Sequence, residues 1–272
     1  MVNLFKHELF SRWVAILGWG IALSAFSAMY ITIYPQVAEE MAGLADLSIY
    51  QAMGIDLGSF AGYIASVVIQ IMPIILGIYV IMTSTATLAG EEDNGTLELV
   101  VAMPLPRWQI VAMKTAALAV VIFLIMVIMG LGSALSLAYV RQTTAVDAMP
   151  LQIFFALLGA YPLMLAFFGI GLFLGTITPN RRSALVIMTV IYVGSYLLNS
   201  VAGLVEALSW VGDVSLFSYV NTTATVFTEG LDPLNMVFLL GIFMLFFAGA
   251  VFVFQRRNIT VGSWIWQQPQ LD

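Results

Sequence analysis

The side chains of this sequence that are grouped to do chemistry lie in one stretch, Gly90 to Lys114, reading GEEDNGTLELVVAMPLPRWQIVAMK. The chemistry on offer is recognition rather than bond making. The acids Glu91, Glu92 and Asp93 come first, then the turn pair Asn94-Gly95. A short amphipathic piece from Thr96 to Ala102 follows, and it must stop before Pro104 because a residue preceding proline avoids the α region. Thr96 is suited to cap this helix, and Glu98 sits in its first turn, where a carboxylate meets the positive end of the helix dipole. Leu97, Val100 and Val101 then share one face at i, i+3 and i+4, an apolar ridge that calls for a partner surface. Arg107, Trp108 and Lys114 close the stretch with basic and aromatic side chains.

Other chemistries are poorly provided for. The sequence has no cysteine, which excludes disulfides, thiolate metal sites and thiol nucleophiles. Its one histidine, His7, reads as an interfacial side chain rather than a catalyst or ligand. Neither the histidine–carboxylate cluster of an intramembrane metalloprotease nor the serine–histidine pair of a membrane serine protease can be assembled. The pattern GxxxxGK[ST] is missing, so ATP cannot be bound and hydrolysed here in the manner of a P-loop enzyme, and energy must come from another subunit. Glu39, Glu40, Asp46, Asp56, Glu206, Asp213, Glu229 and Asp232 are spread out without metal-ligand spacing and read as a solvated face.

The elements that hold these residues are set by composition. Apolar residues make up 61% of the sequence and charged residues 9%, so most side chains cannot be meeting water. Runs without an ionisable residue recur at about 13–34, 61–88, 115–139, 151–178, 183–205 and 234–255, each long enough for a helix to cross ~30 Å of hydrocarbon. The expectation is an all-α integral membrane protein with six transmembrane helices in one transmembrane domain, 1–272, and not a barrel of short alternating strands. Lys6, Arg12, Arg107, Lys114, Arg181, Arg182, Arg256 and Arg257 fall on one side of that arrangement and only Arg141 on the other, which puts both termini in the cytoplasm. The acids then gather outside and account for most of the net charge of -6.

Several local features refine the expectation. Val2, Phe5, Leu9 and Trp13 share a face, so the N-terminus should form an interfacial elbow helix. Pro35 to Phe60 reads as a long outer loop with a short helix or two. Pro73 and Pro162 should kink spans two and four, and Gly171 with Gly175 should let a neighbouring helix approach closely. Glu206 to Pro233 is too interrupted for a full span and fits a re-entrant outer hairpin between spans five and six. Polar residues at depth, Gln70, Thr83, Ser84, Thr85, Thr87, Ser195, Asn199 and Ser200, admit two readings: hydrogen bonds between helices, or the lining of a substrate path. The absence of ionisable side chains in the six runs disfavours ion-coupled transport.

Taken in order, the elbow, the six spans, the segment around GTLE running on to Pro104 and Arg107, the interrupted region before the last span and the terminal FQRRNI resemble the membrane subunits of ATP-binding-cassette exporters of the type-2 permease class. The resemblance covers essentially the whole sequence. Asn258 stands where such tails often carry an aspartate. The resemblance implies that Glu91, Glu92, Gly95, Thr96, Leu97, Glu98, Val100, Val101, Pro104 and Arg107 form a cytoplasmic coupling helix and its flanks, docking on separate nucleotide-binding ATPase subunits. It further implies a second permease, expected as a homodimer, with the substrate path between them. Gln70, Thr83, Ser195 and Asn199 are the candidates to line it. ATP and magnesium would be held by the partner, with no cofactor in this chain. Membrane lipids and no nucleic acid complete the expected partners, the plasma membrane is the expected location, and the mainly apolar route suits lipid-like, peptide or drug-like cargo moved outward. The alternative is a stand-alone membrane scaffold or passive channel using the 90–107 loop as an adaptor site; a membrane enzyme is a third reading that lacks a catalytic constellation.

Overall fold

In hydrocarbon a backbone must satisfy its own N–H and C=O groups, so a long apolar run closes into a helix. The structure, a computed structural model, describes residues 2–45, 57–90, 106–204, 209–230 and 232–256. Among the described residues there is no strand. Six helices there are long and apolar enough to cross a membrane: Trp13–Leu44, Phe60–Ala86, Arg107–Val140, Pro150–Ile177, Arg181–Gly203 and Pro233–Arg256, numbered here as spans 1 to 6. A short helix, Val2–Phe10, precedes the first and is joined to it through a turn at Ser11 and Arg12.

Span 1 departs from expectation. The helix that starts at Trp13 runs on past Pro35 to Ala45, where a loop was expected from Pro35. Proline cannot donate to the carbonyl one turn back, but the residues after it, Gln36 to Ala45, include several strong helix formers. Val37, Ala38 and Met41 also pack on the main core, and this packing offsets the lost bond. The helix therefore continues roughly 15 Å beyond the proline.

Beside each of the two prolines expected to kink its span, the regular α-helix is interrupted. Span 2 is capped by Ser59, whose Oγ accepts from Gly62 N at 3.0 Å. It then widens into a π turn over Ala65–Ile69, with Gln70 N bonded to Ala65 O, and resumes as Ile71–Ala86. Pro73 cannot donate to Ile69 O, and the widened turn sits just ahead of it. Span 4 is divided at Gly159 and Ala160 into Pro150–Leu158 and Tyr161–Ile177, with Pro162 in the first turn of the second half. There its missing N–H is one of those a helix start leaves unbonded in any case.

Lipid tails are as apolar as leucine, so helix association in a membrane rests on close packing and hydrogen bonds between helices. Spans 1 and 3 show both. Ser24 Oγ donates to Ile128 O at 2.8 Å, a separation of 104 residues, and Ser133 Oγ donates to Ser27 Oγ at 2.7 Å, a separation of 106. A nearly constant separation means that the helices advance together, as two odd-numbered spans should. Glycines permit the approach: a Cβ on Gly132 would stand 2.5 Å from Ser24 Oγ, and one on Gly20 would stand 2.9 Å from the Ile128 side chain. The expected role of Gly171 and Gly175 is also realised, and the neighbour is span 2. A Cβ on Gly171 would overlap Ser84, and Gly175 lies against Thr85 O and Ala89. Span 4 meets span 6 in the same way, with Gly169 against the Phe243 backbone.

Spans 2 and 4 form the centre of the bundle: 61% and 78% of their most apolar windows are buried, against 22%, 17% and 17% for spans 1, 5 and 6. The main core lies between them and spans 1 and 3, built on Ile64, Met72, Leu76, Ile122, Phe167 and Phe168. A separate, smaller core of Leu88, Val111, Leu172, Ala250 and Phe254 closes one end.

Candidate functional site

One end of the bundle, the basic end, carries Lys6, Arg12, Arg107, Lys114, Arg181 and Arg256. Of the segment singled out by sequence, Glu91, Glu92, Gly95, Thr96, Leu97, Glu98, Val100, Val101 and Pro104 lie outside the described residues. Arg107 is described and opens span 3 behind Pro106, whose extended backbone, ψ 142°, sets the start of the helix. The structure therefore gives the two flanks on which the segment is mounted. The outgoing flank ends in Leu88, Ala89 and Gly90, and the returning flank begins with Arg107 to Val111. Leu88 and Val111 are both buried in the small core, against Leu172 of span 4 and Ala250 and Phe254 of span 6. The described residues on either side of 91–105 thus meet on one packed base.

Hydroxyls crowd the outgoing flank, but each is turned back on its own helix. Thr83 Oγ1 donates to Tyr79 O at 2.8 Å, Thr85 to Ile81 O at 2.7 Å and Thr87 to Thr83 O at 2.7 Å, while Ser84 donates to Ile81 O at 3.3 Å. These are bonds within one helix, not between helices. The flank meets span 4 by close packing of Ser84 on Gly171 and of Thr85 O on Gly175. Its last residue, Gly90, lies against Arg181, whose Cδ would be 3.5 Å from a Cβ placed there.

The returning flank is tied to the N-terminal helix by charge. Lys114 is buried, 3% exposed, and its Nζ forms an ion pair and hydrogen bond with Glu8 Oε1. Arg12 Nε lies 3.7 Å from the other carboxylate oxygen of Glu8. One acid therefore faces two cations at the edge of an apolar body, where each charge needs a partner.

The four candidates for a substrate path are spread along the bundle rather than gathered. Thr83 is buried near the basic end, and Gln70 is half-buried at the close of the π turn in span 2. Ser195 and Asn199, one turn apart on span 5, are at the opposite, acidic end. Ser195 Oγ accepts from Leu216 N at 3.0 Å, and its carbonyl accepts from Ser215 Oγ at 2.7 Å. Asn199 lines a cleft of about 780 Å³ with Asp213, Asn221, Glu229, Asp232 and Asn235. Phe217 plugs the base of this end, its ring centroid 5.5 Å from Phe167, 5.3 Å from Tyr192 and 5.6 Å from Tyr196.

A family model described as ABC-2 family transporter protein matches residues 3–259. This chain belongs to the ABC-2 transporter family. The match runs from the N-terminal helix through all six spans, so the ABC-2 chain is a multi-pass membrane protein and a permease component of an ABC transporter. Membership also implies association with ATP-binding-cassette subunits. Comparison with curated proteins gives no match.

Two residues of this ABC-2 chain escaped sequence reasoning. Glu8 was passed over between Lys6 and Arg12, although an acid in a basic, amphipathic helix is a signal in itself. Tyr192 read as one more apolar residue of span 5, yet its hydroxyl donates to Pro73 O at 2.6 Å and its ring lies against Gly77. It thereby joins span 5 to span 2 just beyond the π turn.

Proposed function

We propose that this chain is the membrane permease of an ATP-driven exporter, and that residues 91–107 are the element through which a separate ATPase subunit drives it. The observation that carries this reading is the common base of the two flanks. Leu88 and Val111 share one small core with spans 4 and 6, so a push on the segment between them reaches the bundle as a body. The acids Glu91 to Asp93 would be poorly placed beside an anionic inner leaflet and suit a cytoplasmic partner. The basic bias supports cytoplasmic termini, and the plasma membrane is the location this reading carries. ATP and magnesium belong to the partner in this reading, and the permease itself is not an enzyme.

A second permease, most simply an identical one, completes the assembly. Spans 1, 5 and 6 present wide apolar faces, and Gly194 and Gly203 of span 5 face open space that a close neighbour would fill. The substrate path lies at that pairing surface, with Ser195 and Asn199 toward its outer mouth and half-buried Gln70 at mid-depth, whereas Thr83 is buried in span 2 with its hydroxyl on Tyr79 O and stands back from that surface. The outer turns between spans 5 and 6 act as the re-entrant cap. An apolar path with a few polar side chains suits amphipathic or hydrophobic cargo, carried outward.

The test is the apolar ridge of the segment. Leu97→Asp or Val101→Asp should weaken binding of the ATPase subunit by more than ~2 kcal/mol, because a small docked helix depends on a few buried anchors. Transport should fail while membrane insertion and permease pairing persist. Normal binding and transport in both variants would remove the segment as the docking element.

A further inference from the structure

The Glu8–Lys114 pair is more specific than an anchor requires. Its separation is 106 residues, the same as that of the Ser27–Ser133 hydrogen bond between spans 1 and 3. The two contacts are nineteen residues apart on both partners, roughly 28 Å along the unbroken helix of span 3, so across its turn at Ser11 and Arg12 the N-terminal helix keeps the parallel register of span 1 along the first turns of span 3. Contacts between parallel helices made of small and apolar side chains hold register weakly. A buried ion pair contributes little net stability over a well-packed apolar pair, and its best-attested use is to fix register. Glu8 also spans two partners, with Lys114 at one oxygen and Arg12 at the other. Lys114 lies two helical turns after Arg107, on the same face of the helix that leads out of the 91–107 segment.

We infer that Glu8 is a positioning residue for coupling: through Lys114 it locks the N-terminal helix to the stem of span 3, so that the two turn together when the segment is pushed. This rests on the proposed function. Without the lock, the first turns of span 3 rotate against the N-terminal helix, and part of the motion is absorbed there before it reaches the contacts of span 3 with Ser24 and Ser27 of span 1. The lock takes no part in docking itself.

The experiment uses the full permease, reconstituted with its ATPase subunit in vesicles. The paired variant Glu8→Leu with Lys114→Met replaces the ion pair with apolar packing of similar size. It should keep the thermal stability of the unaltered permease and bind the ATPase equally well. Stimulation of ATP hydrolysis by the permease should fall about tenfold, within the usual range of coupling free energies. Glu8→Cys with Lys114→Cys, possible because the sequence has no cysteine, should lose coupling in the same way and regain it on treatment with a short bifunctional thiol reagent. Full stimulation in the apolar pair, or no recovery in the bridged pair, would overturn the inference. If the unaltered permease neither binds nor stimulates the ATPase, the proposed function fails first, and that outcome is distinct.

Discussion

The two ends of the bundle are closed in different ways. The basic end is held by a small apolar core of five side chains and a buried ion pair, with both flanks of the 91–105 segment seated on it. The acidic end is held by directional hydrogen bonds and by tilted and edge-on ring contacts. Ser215 and Ser195 stitch the turns after span 5 onto that span, Gln152 Nε2 donates to Phe227 O at 2.8 Å, and Phe217 fills the space between three aromatic rings. Polar clefts of about 780 and 380 Å³ open around these stitches. A base of packed apolar atoms and a locked charge moves as a body, whereas a cap held by a few hydrogen bonds can be lifted once they are exchanged for water. On the proposed function, the basic end would transmit force and the acidic end would gate.

The comparison is broken most severely by emptying each end in turn. Phe217→Ala should cost about 4 kcal/mol in thermal unfolding, and Phe254→Ala about 3 kcal/mol, from the cavity each buried ring leaves. Only the second should weaken binding of the ATPase subunit, measured by co-purification at a series of concentrations. The first should instead raise protease sensitivity around residues 209–230. Equal effects of the two on docking would erase the distinction between the ends.

A smaller effect tests the centre on which both ends depend. Gly171→Val forces a side chain into Ser84 of span 2, and overpacking of this kind costs about 2 kcal/mol. Melting of the purified permease should shift downward by a corresponding amount, with both ends otherwise intact. Smaller still, Ser215→Ala removes one stitch and should cost about 1 kcal/mol. Its signature is faster hydrogen exchange at Leu216 and Phe217, whose amides bond to Ser195 Oγ and Ser215 Oγ.

Much of this architecture is legible in the sequence, because its causes are local. An apolar run of sufficient length has to become a helix in hydrocarbon. Pro73 and Pro162 each remove a donor, and a break appears beside each. Gly171 and Gly175, four residues apart, face one neighbour because helical geometry puts them on one side. The misses have non-local causes. The helix continues past Pro35 because Val37, Ala38 and Met41 find the core, which no propensity records. Glu8 meets Lys114 across 106 residues, a pairing set by the register of two distant helices. The hydroxyl of Thr83 could equally have faced another helix or a path; the carbonyl it found belongs to its own helix. Leu97, Val100 and Val101, expected from helical periodicity to form the recognition ridge, lie outside the described residues.

The most direct test of the central claim uses a single reporter in this cysteine-free sequence. Glu92→Cys should resist a membrane-impermeant thiol reagent in intact cells, while Glu40→Cys and Asp213→Cys react. In sealed inside-out vesicles stripped of the ATPase subunit, Glu92→Cys should label fully, and adding the subunit back should protect it. Labelling of Glu92→Cys from outside intact cells, or unchanged labelling in vesicles saturated with the ATPase subunit, would contradict the account.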